Sequence, residues 1–278
     1  MKPARFEYEC PTDTAAAIAL AARSDLMVKF IAGGQSLGPM LNLRLAQPDV
    51  LVDLTGIAEL TQVEETADSL SIGACVTHAD IEDGRIPDLA GGVLRSVARG
   101  IAYRAVRNRG TIGGSIAHAD PSADWISCLA ALGASVVVRG ASGRRSVPIE
   151  EFMLGVFETT LLSGELVEAV TVPRLSNQAK WGFYKVCRKT GEFANAIGAV
   201  LFDPARSVCR AVIGATESRP VVFADARELF RGRPEAGLST SFDQQPAREA
   251  LAAAGVTDAI GQQIHLVALR RAIEQASA

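Results

Sequence analysis

The 278-residue sequence lacks the patterns that mark several common classes of protein. Its five cysteines are scattered and form no C-x-x-C pair, which argues against a disulfide framework and against an in-chain zinc or iron–sulfur site. Its net charge of −3 provides no basic field for nucleic acid or an anionic membrane. No run is long and apolar enough to span a bilayer, and the N-terminus lacks the apolar core of a signal peptide. We therefore expect a cytoplasmic protein with no nucleic-acid or integral membrane contact.

Motifs for side-chain catalysis are missing as well. The sequence contains neither a Walker A pattern nor a G-x-G-x-x-G fingerprint, so a Rossmann fold is not expected. No Ser-His-Asp order, catalytic carboxylate pair or metal-ligand cluster stands out, and the isolated His78 and His118 are interpreted as structural. The sequence therefore predicts no catalytic residue and no metal site, and places the chemistry in a cofactor.

Two glycine-rich stretches stand out instead, residues 32–37 (Ala-Gly-Gly-Gln-Ser-Leu) and residues 109–124. Paired glycines permit unusual backbone dihedrals and let a large anion approach the amide N–H groups. Thr111 and Ser115 add hydroxyls that can donate to phosphate oxygens. Both stretches are predicted to be loops, and two such loops predict two contacts with one extended ligand. Taken alone, a glycine pair of this kind is more often a plain turn.

Apolar periodicity indicates alternating strands and helices up to Pro173, then consecutive antiparallel strands followed by helices. The later pattern is typical of a small α+β unit. Residues 231–245 are predicted to form a surface loop. The predicted helices cover residues 15–23, 91–106, 124–132, 222–229, 246–254 and 259–275. The predicted strands cover residues 28–31, 50–54, 70–74, 135–138, 166–172, 182–187, 196–202 and 208–213.

Both glycine motifs, at this separation, resemble the FAD-binding medium subunit of molybdenum hydroxylases, the carbon monoxide dehydrogenase and xanthine dehydrogenase family. Residues 39–46 and 185–194 (Lys-Val-Cys-Arg-Lys-Thr-Gly-Glu-Phe-Ala) extend the resemblance over the chain. It implies an α+β protein whose residues 1–175 form a FAD-binding fold of the para-cresol methylhydroxylase and vanillyl-alcohol oxidase type. Two α/β subdomains, split near residue 56, make up that part. Residues 176–278 are expected to form a small C-terminal domain with an antiparallel sheet and helices.

The resemblance also implies where a non-covalent FAD lies. Its pyrophosphate is expected between the two glycine motifs, with Asp124 contacting the flavin nucleotide and Lys185 approaching the isoalloxazine, where its charge stabilises the anionic reduced form. Phe193 is a weaker candidate for an aromatic shield beside the ring, and the segment at Leu166 gives a backbone contact. The predicted cofactor-binding residues are Ala32, Gly33, Gly34, Gln35, Ser36, Leu37, Ile101, Thr111, Gly113, Gly114, Ser115, Asp124, Val167 and Lys185.

Some of these residues also have interpretations other than FAD binding, and two of them differ from the residues that relatives often have. Relatives often have histidine in place of Gln35 and asparagine in place of Ser115, and the absence of that histidine argues against covalent flavin attachment in the first loop. Asp124 is equally compatible with an N-cap of the helix at 125–132. Lys185 is compatible with a solvated strand position.

The function implied by the resemblance is that of an electron-transfer subunit. A large molybdopterin subunit and a small subunit with two [2Fe–2S] clusters are the expected partners, as a dimer of heterotrimers, and they alone carry the molybdenum cofactor and the clusters. One alternative is a free-standing flavin oxidase or reductase of the same superfamily. A second is a nucleotide-binding scaffold with no redox role.

Overall fold

The computed structural model describes residues 2–278, and its first layer is a small parallel sheet. The elements of this layer are β1 (Glu7–Glu9), α1 (Thr14–Ala21), β2 (Val28–Ile31), α2 (Leu37–Asn42) and β3 (Val50–Asp53). Strand β3 is central, with β1 and β2 as its neighbours. Its apolar run fits this place because Val50 and Val52 pack into one cluster and Leu51 into another, so both faces are covered.

The second layer is a five-stranded antiparallel sheet with helices on one side. Its strands run in the spatial order β4–β5–β10–β6–β7. The helices between β5 and β6 carry the second glycine motif. The elements are β4 (Val63–Glu65), β5 (Ser69–Gly73), α3 (His78–Glu82), α4 (Val93–Arg99), α5 (Arg104–Arg107), α6 (Ile112–His118), α7 (Asp124–Leu132), β6 (Ser135–Gly140), β7 (Gly143–Pro148), α8 (Ile149–Phe152), β8 (Met153–Gly155), β9 (Glu158–Thr159) and β10 (Leu166–Pro173).

The third layer is a four-stranded antiparallel sheet with strands in sequential order. Its elements are β11 (Lys180–Val186), β12 (Ala196–Asp203), β13 (Val208–Gly214), β14 (Val221–Phe223), α9 (Leu238–Ser241), α10 (Gln245–Ala253) and α11 (Ala259–Ser277). Helix α7 lies between this sheet and the second one. All nine of its residues are buried, and its core joins residues of both sheets. The expected α+β class is therefore confirmed.

Helix α11 packs on the third sheet, and it approaches the strands most closely at two glycines. A Cβ added at Gly182 would lie 1.8 Å from the Ala272 carbonyl oxygen, and one added at Gly198 would lie 2.4 Å from the Ala268 carbonyl oxygen. No side chain fits in either gap, so glycine at these strand positions sets how closely the helix approaches.

Three predicted elements are wrong. The predicted helix at 91–106 is two helices, α4 and α5, because the chain turns at Gly100 and at Ala102, whose φ is 41°. The predicted helix at 222–229 is instead strand β14 followed by a 3-10 turn at Arg227–Phe230. The second glycine motif is not a loop, since residues 112–118 are helical.

Two further observations complete the fold. The predicted surface loop at 231–245 contains a 3-10 turn and the short helix α9, with Pro234 and Leu238 buried. Within residues 2–278, every helix is too short or too polar to traverse a lipid bilayer.

The close approach of α11 gives a first prediction. Gly198→Ala should lower the free energy of unfolding by about 1–3 kcal/mol, because overpacking forces the helix away from the sheet. Urea denaturation of the purified chain measures this change. Gly56→Ala is the matched control, because nothing lies within 4 Å of a Cβ added there. Equal stability of the two variants would contradict the close packing described here.

Candidate functional site

A cavity of about 550 Å³ lies where the three layers meet. Its wall is formed by the residues after β2, by α6 and the start of α7, by the start of β10, and by β11 and the segment after it. Its volume is in the range of small-molecule and cofactor sites. The cavity brings together all fourteen predicted site residues: Ala32, Gly33, Gly34, Gln35, Ser36, Leu37, Ile101, Thr111, Gly113, Gly114, Ser115, Asp124, Val167 and Lys185.

The first glycine motif presents its backbone to the cavity. Among residues 2–278, no group accepts a hydrogen bond from the N–H groups of residues 33–36. Gly34 has a φ of 68°, the left-handed region that glycine adopts without strain. The Gln35 side chain donates to the Gly33 carbonyl oxygen at 2.9 Å and braces the turn. Consecutive free N–H groups in such a turn form a concave site suited to an anion.

The second glycine motif does not offer its backbone N–H groups to a ligand, contrary to the expectation from the sequence. Its N–H groups already have protein partners: Ile112 donates to Val76 O, Gly113 to Ala74 O, and Gly114 to the Thr111 hydroxyl oxygen. Thr111 is thus the N-cap of α6. The amides of this motif are not free for an anion. The motif can still donate to a ligand through two hydroxyl groups. The Thr111 and Ser115 side chains both line the cavity, and each keeps an O–H donor.

The glycines of the two motifs bring the backbones into contact. A Cβ at Gly33 would lie 2.0 Å from the Arg109 carbonyl oxygen, and one at Gly113 would lie 2.3 Å from the Ala74 side chain. A Cβ at Gly114 would lie 2.8 Å from the Thr111 hydroxyl oxygen. Glycine at these three positions therefore lets the segments of the cavity wall pack closely together.

Asp124 and Lys185 form an ion pair across the cavity wall. The Lys185 ammonium lies 2.9 Å and 3.0 Å from the two carboxylate oxygens, and it also donates to the Gly100 carbonyl oxygen at 2.9 Å. Each side chain is about nine-tenths buried. Asp124 is the first residue of α7, and the N-cap is Ala123. Asp124 is therefore not the N-cap of α7, and Lys185 is not a solvated strand residue.

Burial raises the pKa of the Asp124 carboxyl above its usual range, and the Lys185 ammonium acts in the opposite direction. The pair also has a structural consequence, since Lys185 belongs to the C-terminal sheet while Asp124 and Gly100 belong to the helices of the second layer. It therefore links the two parts of the chain that enclose the cavity.

The remaining predicted positions lie at the edges of the cavity. Ile101 is half-buried, and its carbonyl oxygen accepts from the Arg107 guanidinium at 2.9 Å. Val167 and Leu166 are buried at the start of β10, beside a bulge in its pairing with β6. Phe193 is 76% exposed and touches the rim.

Several lining residues were not predicted from the sequence. Lys29 lines the cavity and makes no ion pair with the described residues. Its position three residues before the first motif could have indicated this role from the sequence. His78 was interpreted as structural, yet its ring lines the cavity. Its Nδ1 accepts a hydrogen bond from the Trp125 indole at 3.1 Å. Burial, reinforced by the Arg107 charge, lowers the pKa of His78 to about 4. Nothing in the sequence reveals the Trp125 contact, which spans 47 positions.

Residues 4–175 match the family model described as the FAD binding domain in molybdopterin dehydrogenase. The chain belongs to the family of FAD-binding medium subunits of molybdenum hydroxylases. It is therefore an oxidoreductase subunit with a FAD-binding fold. The expected resemblance and fold are confirmed.

Individual relatives agree with this assignment. The chain is 39% identical over 201 residues to the carbon monoxide dehydrogenase medium chain of Hydrogenophaga pseudoflava, which covers 72% of this chain and 70% of that relative. It is 33% identical over 238 residues to caffeine dehydrogenase subunit beta of Pseudomonas sp. strain CBB1, with 84% and 81% covered. It also superposes on the solved carbon monoxide dehydrogenase from Hydrogenophaga pseudoflava that lacks the Mo-pyranopterin moiety. That match has a TM-score of 0.85 at 33% identity, over 99% of this chain and 98% of that one.

The cavity fits FAD on physical grounds. The N–H groups of residues 33–36, which have no acceptor among residues 2–278, and the hydroxyls of the second motif offer donors to a pyrophosphate. The glycines let the surrounding backbone segments pack closely around that place. The lining is otherwise largely apolar, as a flavin ring system requires.

The buried ion pair gives a second prediction. Lys185→Met should lower the free energy of unfolding by about 3–5 kcal/mol, because it leaves the Asp124 carboxylate buried without a partner. The double variant Asp124→Asn with Lys185→Met should recover part of that loss. Urea denaturation of the single and double variants measures the coupling between the two side chains. Additive losses would show that the pair contributes nothing.

His78 gives a third prediction, on pH. Its folded-state pKa of about 4 lies below the ordinary 6.5, so protonation favours the unfolded chain. The contribution of the neutral ring to stability is fully present above pH 6.5 and is lost as the pH falls towards 4. Over that range the wild type should lose about 3 kcal/mol more than His78→Gln. Denaturation curves of both proteins at the two ends of the range test this, and parallel losses would contradict it.

Proposed function

We propose that this chain is the electron-transfer subunit of a molybdenum-containing hydroxylase. It takes electrons from [2Fe–2S] clusters of a small partner subunit and passes them to an external acceptor. A large molybdopterin subunit is the second partner, and the complex is a dimer of heterotrimers in the cytoplasm. Relatives named as a medium chain and as subunit beta support assembly with other subunits.

One observation carries the proposal: a single cavity is lined by both glycine motifs together with Asp124 and Lys185. These residues come from distant parts of the chain. Their convergence supports the fourteen predicted residues as the FAD site.

The first motif would bind the pyrophosphate through its unpartnered N–H groups, and the second through the Thr111 and Ser115 hydroxyls. Lys29 lines the same cavity and adds a positive charge for the phosphates. The backbone N–H groups and the hydroxyls are neutral donors, so they orient a phosphate without a change in their own protonation. We infer that this part of the site fixes the position of the cofactor.

The other end of the cavity would hold the flavin ring. There the Lys185 ammonium would orient polar atoms of the ring while Asp124 and Gly100 hold it in place. Ile101 and Phe193 would exclude water from the ring, and the backbone at Val167 would give a further contact. FAD, when bound, supplies the exchange of one or two electrons, while the chain supplies position and electrostatics.

We propose that FAD is held without a covalent bond. The position that often carries histidine in the family is Gln35 here, and its amide is engaged with the Gly33 carbonyl oxygen. An amide is not a nucleophile that can attach a flavin.

The proposed domain division places residues 1–175 in the FAD-binding domain, split near residue 56, and residues 176–278 in the C-terminal domain. The parallel sheet ends at Asp53, the second sheet spans Val63–Pro173, and the third begins at Lys180, which supports this division.

The fourth prediction concerns FAD affinity. Ser115→Ala should weaken FAD binding by about tenfold, because it removes one donor to a charged phosphate, a loss of about 1.5 kcal/mol. Titration of the purified chain with FAD, followed by flavin fluorescence, measures the dissociation constant. Ser163→Ala is the control, because that residue is exposed and lies outside the cavity wall.

A separate experiment on the assembled complex tests the proposed function as a whole. Co-expression with the neighbouring large and small subunits should give a complex whose flavin absorption bleaches when the substrate of the large subunit is added. A chain that binds ADP as tightly as FAD and leaves the flavin oxidised in that complex would overturn the electron-transfer function.

A further inference from the structure

His78 is a buried side chain at the cavity wall that the proposed function does not use. It is the first residue of α3, and its own N–H donates to the Gly110 carbonyl oxygen at 2.9 Å. The side chain lies against the second glycine motif, since a Cβ added at Gly110 would be 3.0 Å from His78 Nε2. Gly110 and Thr111 both line the cavity beside it. The ring is thus fixed at the place where the second motif begins.

The Trp125 contact determines which ring nitrogen carries the proton. The indole Nε1–H can only donate, so His78 Nδ1 must be the acceptor of this 3.1 Å hydrogen bond. Burial keeps the ring neutral at physiological pH, because it lowers the pKa of His78 to about 4. A neutral imidazole that accepts at Nδ1 carries its proton on Nε2.

The Nε2–H donor has no acceptor among residues 2–278, since the hydrogen bonds of His78 are those at Nδ1 and at its backbone N–H. His78 is only 5% exposed, so bulk water offers little compensation. The Nε2 atom is not among the fully buried polar atoms without a partner, so it keeps some exposure, and His78 lines the cavity. Native structures usually complete such a donor with a ligand or an ordered water. The Nε2 edge of the ring lies beside Gly110, and both residues line the cavity, so an acceptor can reach this donor from the cavity.

We propose that His78 is a further cofactor-binding residue, whose Nε2–H donates a hydrogen bond to an oxygen in the phosphate–ribityl part of FAD. Trp125 acts as a positioning residue, because its indole fixes the orientation and the tautomer of the ring. The proposal rests on FAD occupying this cavity. It adds a third kind of donor, a neutral imidazole, to the backbone amides and hydroxyls of the two glycine motifs.

Three variants of the full chain test it by FAD titration. His78→Leu removes the donor and should raise the dissociation constant of FAD by about tenfold or more. In His78→Gln the amide oxygen can accept from Trp125 while the amide N–H donates to the cavity, so its dissociation constant should stay within about threefold of wild type. His265→Leu is the matched control. His265 is equally buried, but both of its ring nitrogens contact carbonyl oxygens outside the cavity, so this change should cost stability without changing FAD affinity.

A direct readout separates a hydrogen bond from packing. In a sample labelled with ¹⁵N-histidine, FAD should move the His78 Nε2–H proton resonance downfield and slow its exchange with water. An unchanged FAD affinity in His78→Leu, or equal weakening in His78→Leu and His78→Gln, would overturn the proposal. A wild-type chain that does not bind FAD at all would count against the proposed function instead, so the two failures are distinguishable.

Discussion

The cavity depends on the ion pair between Lys185 and Asp124. Strand β11 and helix α7 come from different sheets, and the lysine reaches from one to the other, where it meets both carboxylate oxygens and the Gly100 carbonyl oxygen. Two buried charges are stable together only in a favourable geometry. Lys185 donates to Asp124 Oδ2 and to the Gly100 carbonyl oxygen, while Asp124 Oδ1 lies 2.9 Å from the ammonium but accepts no hydrogen bond from residues 2–278. The pair therefore bridges the C-terminal sheet and the helices that carry the second glycine motif, at the wall of the cavity.

The two glycine motifs look alike in sequence but serve different physical roles. In the first, Gly34 adopts a left-handed conformation, and the N–H groups of residues 33–36 have no acceptor within residues 2–278, as an anion site requires. In the second, the N–H groups are used to anchor helix α6 to the segment 74–76 and to its own cap. The glycines there let α6 approach that segment closely. The division gives the site one wall built from backbone and another built from side-chain hydroxyls and, as proposed, an imidazole.

Local patterns predicted the parts of this structure that local physics determines. Strand β2, helix α7 and the three long strands of the C-terminal sheet lie close to their predicted bounds, because each is a mainly apolar run that turn residues or polar residues delimit. The sequence could not separate α4 from α5, since apolar spacing continues through a turn that depends on a left-handed Ala102. It also could not reveal the partners of Asp124 and His78, which lie 61 and 47 positions away. Such contacts are set by the packing of whole layers.

Charge compensation determines how the site acts on a bound anionic group. The Coulomb attraction between an isolated ammonium and a negative charge about 4 Å away is about 4 kcal/mol at the effective dielectric constant of protein sites. Lys185, however, has a carboxylate at 2.9 Å. Its field in the cavity is therefore closer to that of an oriented dipole than to that of a free cation, and it falls off more steeply with distance. The resemblance alone suggests that Lys185 acts by its full charge, but the geometry makes its effect depend on Asp124. A change at Asp124 would thus alter the electrostatics of the cavity as strongly as a change at the lysine itself.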